Sequence, residues 1–171
     1  PGVLVQHGPI LRVVFGPRDP SYISPILSAI QSDLCESGID GVLSTHIQRD
    51  ALEKFSYVSP IGAAGVYLHA VAGDFQKEGP ARELFKSMIR EISALAAAMG
   101  YPFEKDYVKI NLEILSNLSA DATTSMQRDI MEGKPSELDG LVMEPLRLAK
   151  KYSVSMPCYE EVANVLCPLE F

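Results

Sequence analysis

Tryptophan is absent from this chain of 171 residues, and cysteine and histidine occur only three times each. Cys35, Cys158 and Cys167 form an odd set without C-x-x-C spacing. That excludes a fully paired disulfide framework and fits free thiols in a reducing, cytoplasmic setting. His7, His46 and His69 supply neither an H-E-x-x-H helix nor any paired spacing, so no protein-encoded metal site is expected. Basic residues are also scarce, 15 against 22 acidic ones, for a net charge of −7. No basic stripe exists to neutralise phosphates, which argues against a general nucleic-acid binder. The one adjacent basic pair, Lys150-Lys151, ends a helix pattern and complements its dipole there. No apolar run approaches the roughly 18 residues of a membrane span. No basic segment followed by an apolar one opens the chain, so no export signal is expected. The start at Pro1 rather than Met suggests a processed product or a piece of a longer protein. Finally, no G-x-G-x-x-G and no Walker loop occurs: Gly38 and Gly41, like Gly62 and Gly65, are merely three apart. Any phosphate-binding loop must lie elsewhere.

What is present is an ample core, since 47% of residues are hydrophobic. Two short β-type runs, residues 2–6 and 10–15, flank the turn signal His7-Gly8-Pro9. Apolar residues then recur at helical spacing over 23–34, Gly38 ends that helix, and 40–44 reads as a further strand. This β-β-α-β order is too little for an independent domain. It reads as the last elements of an α/β domain, giving a boundary between 1–46 and 47–171.

From Thr45 onward the pattern is helical. Thr45-His46-Ile47-Gln48 fits a capping box that starts a helix running to about Val71, which Pro60 should kink or divide. Within it, Gly62-Ala63-Ala64-Gly65 suits either tight helix packing or close approach by a ligand. Gly73-Asp74 is expected to break the chain. Further helices are expected over 80–99, 104–118, 123–132, 137–152 and 159–166. The helix over 137–152 opens on a second capping-box pattern, Ser136-x-x-Asp139.

The polar residues that carry chemistry are Lys54, Ser125 and Glu137. Lys54, beside Phe55 near the start of the long helix, reads either as a solvated helix lysine or as a half-screened proton donor. Ser125 reads as a cap or a ligand-binding hydroxyl, and Glu137 as a helix-start carboxylate or an active one.

The order of these features resembles the C-terminal half of the ketopantoate reductase (2-dehydropantoate 2-reductase) family. The resemblance is carried by Lys54, then Ser125-Met126-Gln127-Arg128-Asp129-Ile130, then Gly133-Lys134-Pro135-Ser136-Glu137-Leu138-Asp139, and the closing Tyr152–Pro157 segment. It implies a mainly α fold, a helical bundle of the 6-phosphogluconate dehydrogenase C-terminal type preceded by the β-β-α-β remnant of a Rossmann-like domain. It implies an oxidoreductase of pantothenate biosynthesis using NADPH, held mainly by a domain outside this sequence, and a homodimer acting on a small 2-oxoacid. Lys54 would protonate the substrate's carbonyl oxygen. Ser125, Met126 and Arg128 would bind its carboxylate end, and Glu137 would face the cofactor or the lysine. The isolated chain is expected neither to bind NADPH tightly nor to turn over.

The departures fall on substrate contacts. Val58, Gly62 and Ala72 stand where the family has asparagines, Leu52 replaces a tryptophan, and Ser153 replaces a glycine. Tyr57, Ser59 and His69 are the neighbouring polar side chains able to substitute. These losses favour either a reductase of a different 2-oxoacid or a non-catalytic dimerisation or partner-binding module.

Overall fold

The computed structural model describes residues 2, 11–19, 21, 22 and 24–167. The strand expected over 2–6 lies outside the described residues, Gly2 apart. The chain divides into two compact units, Pro1–Ala51 and Leu52–Phe171.

In the first unit, β1 (Arg12–Phe15) and β2 (Asp40–Leu43) pair in parallel, with Arg12 opposite Asp40 and Phe15 opposite Leu43. Parallel strands require a crossover, supplied by α1 (Pro25–Glu36), which starts on a proline and ends at Ser37 and Gly38. This β-α-β unit is thinly packed. No residue of α1 is buried, and Ile26 is 65% exposed.

The helix α2 (Ile47–Leu68) starts later than the Thr45 pattern predicts. The Ser44 hydroxyl accepts the His46 N–H (2.9 Å), and Gln48 donates its amide to the Arg18 carbonyl (2.6 Å) instead of reaching back to Thr45. Pro60 does not divide α2. A proline at this position removes the donor for the Ser56 carbonyl four residues earlier. The buried Asn111 side chain supplies one, donating to Ser56 O at 3.0 Å and to the Ser56 hydroxyl at 3.1 Å. The helix ends at Leu68, three residues before Val71, where His69 adopts φ +51°.

Gly73-Asp74 makes a short helix rather than a break. In α3 (Ala72–Gln76) the Asp74 carboxylate accepts the Val71 N–H at 2.9 Å. The helix α4 (Pro80–Ala98) is the centre of the second unit, burying Phe85, Met88, Ile89, Ile92 and Leu95. Its Glu91 accepts the Cys158 and Tyr159 N–H groups (2.8 and 3.1 Å) at the start of the last helix. Next come α5 (Tyr107–Ser116), capped by Asp106, and α6 (Ser125–Met131), capped by Thr124 and Gln127 in a reciprocal box. The expected helix over 137–152 is in two parts, a π-helical segment Asp139–Met143 and α7 (Glu144–Tyr152). Ser136 and Asp139 form no capping box, because the Asp139 carboxylate is held by Arg147 in a two-pronged pair at 2.9 and 2.7 Å. A final helix, α8 (Pro157–Leu166), closes the unit. Among the described residues no helix is long and apolar enough to cross a membrane.

Candidate functional site

One face of α2 carries several of the residues singled out by the sequence. Lys54, Tyr57, Val58, Ile61 and Gly65 fall within roughly a third of the helix circumference at about 3.6 residues per turn, with Gly62 beside them. The small-residue segment on this face serves close packing. A Cβ on Gly62 would meet the Met126 methyl at 3.1 Å, and one on Gly65 would lie 2.7–2.8 Å from all three atoms of the Gln127 amide. The start of α6 is thereby pressed onto α2. Gln127 locks it there, donating to the Ala70 carbonyl at 2.8 Å.

A second attachment joins α2 to the π-helical segment. In an α-helix the Leu141 carbonyl would accept from residue 145, which is Pro145 and has no N–H. Ser59 takes that place, donating to Leu141 O at 2.6 Å. Because the single Ser59 proton is engaged there, the fully buried Tyr159 hydroxyl donates to Ser59 Oγ. Burial pushes the Tyr159 hydroxyl well above the ordinary phenol range, so it holds its proton as a donor. Arg147 anchors the same segment from the outside, binding Asp139 and also Glu144 at 2.7 Å.

Each residue expected to act has a definite place. Lys54 is exposed rather than half-screened, and no ion pair joins it to Glu137 or to another described carboxylate. Ser125 is exposed at the first position of α6, and Glu137 is exposed immediately before the helical turns leading into the π segment. Arg128 is exposed and folds back to donate to the Thr123 carbonyl at 2.9 Å. Met126 is 1% exposed and packs under Gly62. The contacts Gly62–Met126, Gly65–Gln127 and Ser59–Leu141 thus bring together the three segments that carry Lys54, Ser125 and Glu137. They leave those three side chains unpaired with one another.

A cavity of about 170 Å³ opens beside this face, lined by Tyr57, Ile61, Ala72, Phe75, Ala122 and Gln127 among others. The Tyr57 hydroxyl is the one buried side-chain polar atom without a partner among the described residues. Burial raises its affinity for its proton. Nothing in the sequence distinguishes Tyr57 from an ordinary core tyrosine; its signal is only its place one turn after Lys54. The Thr124-x-x-Gln127 cap, by contrast, is a legible S/T-x-x-E/Q signature.

The glycines at three-residue spacing do not leave open backbone for a ligand, Gly38 apart. Gly62 and Gly65 are covered by Met126 and Gln127, and a Cβ on Gly41 would lie 2.9 Å from Leu34 Cβ. Among the described residues no group of histidine, cysteine, aspartate and glutamate is arranged to hold a metal ion.

A family model described as ketopantoate reductase PanE/ApbA C terminal matches residues 46–170. The 2-dehydropantoate 2-reductase of Nostoc sp. strain PCC 7120 is 24% identical over 135 residues, covering 79% of this chain and 42% of its own length. The crystal structure of 2-dehydropantoate 2-reductase from Methylococcus capsulatus matches with a TM-score of 0.83 at 24% identity, over 96% of this chain and 52% of that one. A ternary structure of D-mandelate dehydrogenase with NADH and anilino(oxo)acetate matches with a TM-score of 0.76 at 17% identity, over 90% of this chain and 64% of that one. The structural likenesses establish the helical fold. The chain spans about half the length of the curated relative and of the Methylococcus structure.

Proposed function

Because the chain belongs to the ketopantoate reductase C-terminal family, we propose that residues 47–171 form the substrate-binding and proton-donating part of a nicotinamide-dependent 2-oxoacid reductase. Residues 1–46 are then the last elements of its nucleotide-binding domain. The parallel β-α-β arrangement of β1, α1 and β2 supports that assignment. The parent enzyme is a cytoplasmic homodimer in this reading, and NADPH is its hydride donor. In this reading the dinucleotide is held mainly by a domain outside this sequence, and the chain's own contribution lies on the substrate side.

Reduction of a 2-oxoacid develops negative charge on the carbonyl oxygen. The Lys54 ammonium, exposed and unpaired, is the group suited to stabilise that charge and to deliver the proton. Ser125 and Arg128, one turn apart on α6, are suited to the substrate carboxylate, Arg128 by exchanging its Thr123 contact for a charge-assisted pair. Met126 holds α6 at the required distance from α2. Glu137 is suited to orient the ammonium. The observation supporting this reading is the packing of α2 against α6 and against the π segment, the three parts of the chain on or beside which Lys54, Ser125 and Glu137 lie. A π-helical insertion in this setting accords with it, since such insertions recur at functional sites.

The test joins the chain to a nucleotide-binding half and follows NADPH oxidation with ketopantoate and a panel of other 2-oxoacids. Lys54→Ala should lower kcat/KM by about 100-fold or more. An unchanged rate would remove Lys54 from the mechanism. One observation favours the non-catalytic alternative: the Gly62 position, an asparagine in the family resemblance, is already filled by Met126. A folded, dimeric protein that reduces none of the panel would select that alternative.

A further inference from the structure

We infer that Ser59 is a positioning residue of the proposed reaction, and that the buried hydrogen-bond chain from Tyr159 through Ser59 to Leu141 sets Glu137 against the helix carrying Lys54. The inference rests on the reductase reading above.

The sequence offers Ser59 as a stand-in for the missing amide side chains, and the structure gives it different work. Ser59 and Tyr159 are both 0% exposed, so bulk water does not reach their hydroxyls. The bonds between them and the π segment run in one direction. The Tyr159 hydroxyl donates to Ser59 Oγ, Ser59 donates to the Leu141 carbonyl at 2.6 Å, and the Leu141 N–H donates to the Glu137 carbonyl at 2.9 Å. The far end of this chain is fixed to the core helix, because Glu91 of α4 accepts the Tyr159 N–H at 3.1 Å. Its near end is Glu137 itself, exposed and four residues ahead of Leu141.

Ser59 lies five residues after Lys54, about 7.5 Å along the axis of α2. A bond from that point to Leu141 fixes the register between the helix that holds the ammonium and the turn that holds the carboxylate. The other ties of the π segment do not do this. Arg147 joins Asp139 and Glu144, all within residues 139–147, and so shapes the segment without referring it to α2. Val142 and Met143 are buried in the core. Apolar contacts of that kind are non-directional, whereas a hydrogen bond fixes a length and an angle. A fully satisfied buried network rigidifies its surroundings and selects one packing. For stability alone, apolar side chains of the same shape would serve as well. What the polar chain adds is a single setting of Glu137 relative to α2.

The test measures kcat and KM separately in the joined protein described above, with the 2-oxoacid it reduces best. Ser59→Ala should lower kcat about tenfold or more and leave KM within about threefold of the parent. Tyr159→Phe keeps the Leu141 bond and frees only the Ser59 rotor, so its loss should be about threefold. Both effects should act through Glu137: in a Glu137→Gln background, Ser59→Ala should lower kcat by less than about twofold. Asn111→Leu, which removes a comparable buried tie at Ser56, should keep kcat within about twofold of the parent. In the 171-residue chain, the Leu141 amide should exchange faster in both hydroxyl variants than in the parent. Should Ser59→Ala fail to fold, Tyr159→Phe carries the same cycle with Glu137→Gln. An unchanged kcat, losses that simply multiply with that of Glu137→Gln, an equal loss in Asn111→Leu, or an unaltered Leu141 exchange rate would each overturn this inference and leave the reductase reading standing. A harmless Glu137→Gln, or a joined protein that reduces none of the panel, would overturn that reading and this inference with it.

Discussion

Two prolines in this chain sit where a helix needs their N–H groups, and each orphaned carbonyl is answered from another segment. Pro60 leaves Ser56 to Asn111, and Pro145 leaves Leu141 to Ser59. A buried carbonyl without a donor is expensive, which makes these repairs specific ties between segments far apart in sequence. Asn111→Leu should therefore lower unfolding free energy by about 1–3 kcal/mol in urea titrations. Adding Pro60→Ala, which restores the missing N–H, should recover part of that loss. Full additivity of the two changes would show that the tie is not what Asn111 supplies. Gly65→Ala should be similarly damaging, about 1–3 kcal/mol, since its Cβ would force the Gln127 amide away from Ala70. Gly62→Ala should be milder, because the atom it meets is a mobile methionine methyl. At this scale the sequence exposed the presence of Lys54, Ser125 and Glu137 but not their company. Hydrogen-bond partners from 55 or 82 residues away leave no trace in local patterning.

Among the elements, three sequences fit a reciprocal capping box at a helix start, and the outcome depended on competition. Thr124-x-x-Gln127 forms its box because Gln127 lies buried on Gly65, where its Nε2 is spent on Ala70 and its Oε1 is left to Thr124. Ser136-x-x-Asp139 does not, since the Arg147 guanidinium offers Asp139 two charged donors against one neutral N–H. Thr45 forms no box, because α2 starts at Ile47 and Gln48 is spent on the Arg18 carbonyl. The Arg147 pair also gives the π segment a pH signature. Hydrogen bonding from Arg147 holds the Asp139 carboxyl below its ordinary 3.8. A carboxylate depressed on folding contributes above its unfolded value, and that contribution is lost as pH falls through the lower folded value. Hydrogen exchange over residues 139–145 should accordingly speed up relative to α4 below about pH 4. Arg147→Met should remove that acid dependence. An identical acid response in the variant would show that the pair does not hold the segment.

For the molecule as a whole, the division into two units predicts unequal stability. Every buried hydrophobic residue among those described lies at Ile61 or beyond, while Leu11, Val13, Val14, Ile26 and Ile30 are exposed. Local opening follows burial and contact density. Native-state exchange should find amides of 12–43 weakly protected and those of α4 protected to near the global limit. Equal protection would mean that the first unit has packing beyond its own described residues. With Gly41, Gly62 and Gly65 all covered, NADPH should not bind this chain with micromolar affinity; such binding, read by fluorescence or calorimetry, would overturn the reading of the chain as the substrate-side part.

Helical character, the β-α-β opening and the family were determined by the sequence alone, because apolar periodicity and a motif with fixed offsets are local, one-dimensional signals. The sequence likewise held the polar residues proposed to act. Tertiary structure decided that Pro60 does not divide α2, that a π turn replaces the start of the helix expected over 137–152, and that the Tyr57 hydroxyl is left buried and unpaired. Each of these is settled by which distant donor reaches a given acceptor first, a question answered only once the helices are packed together.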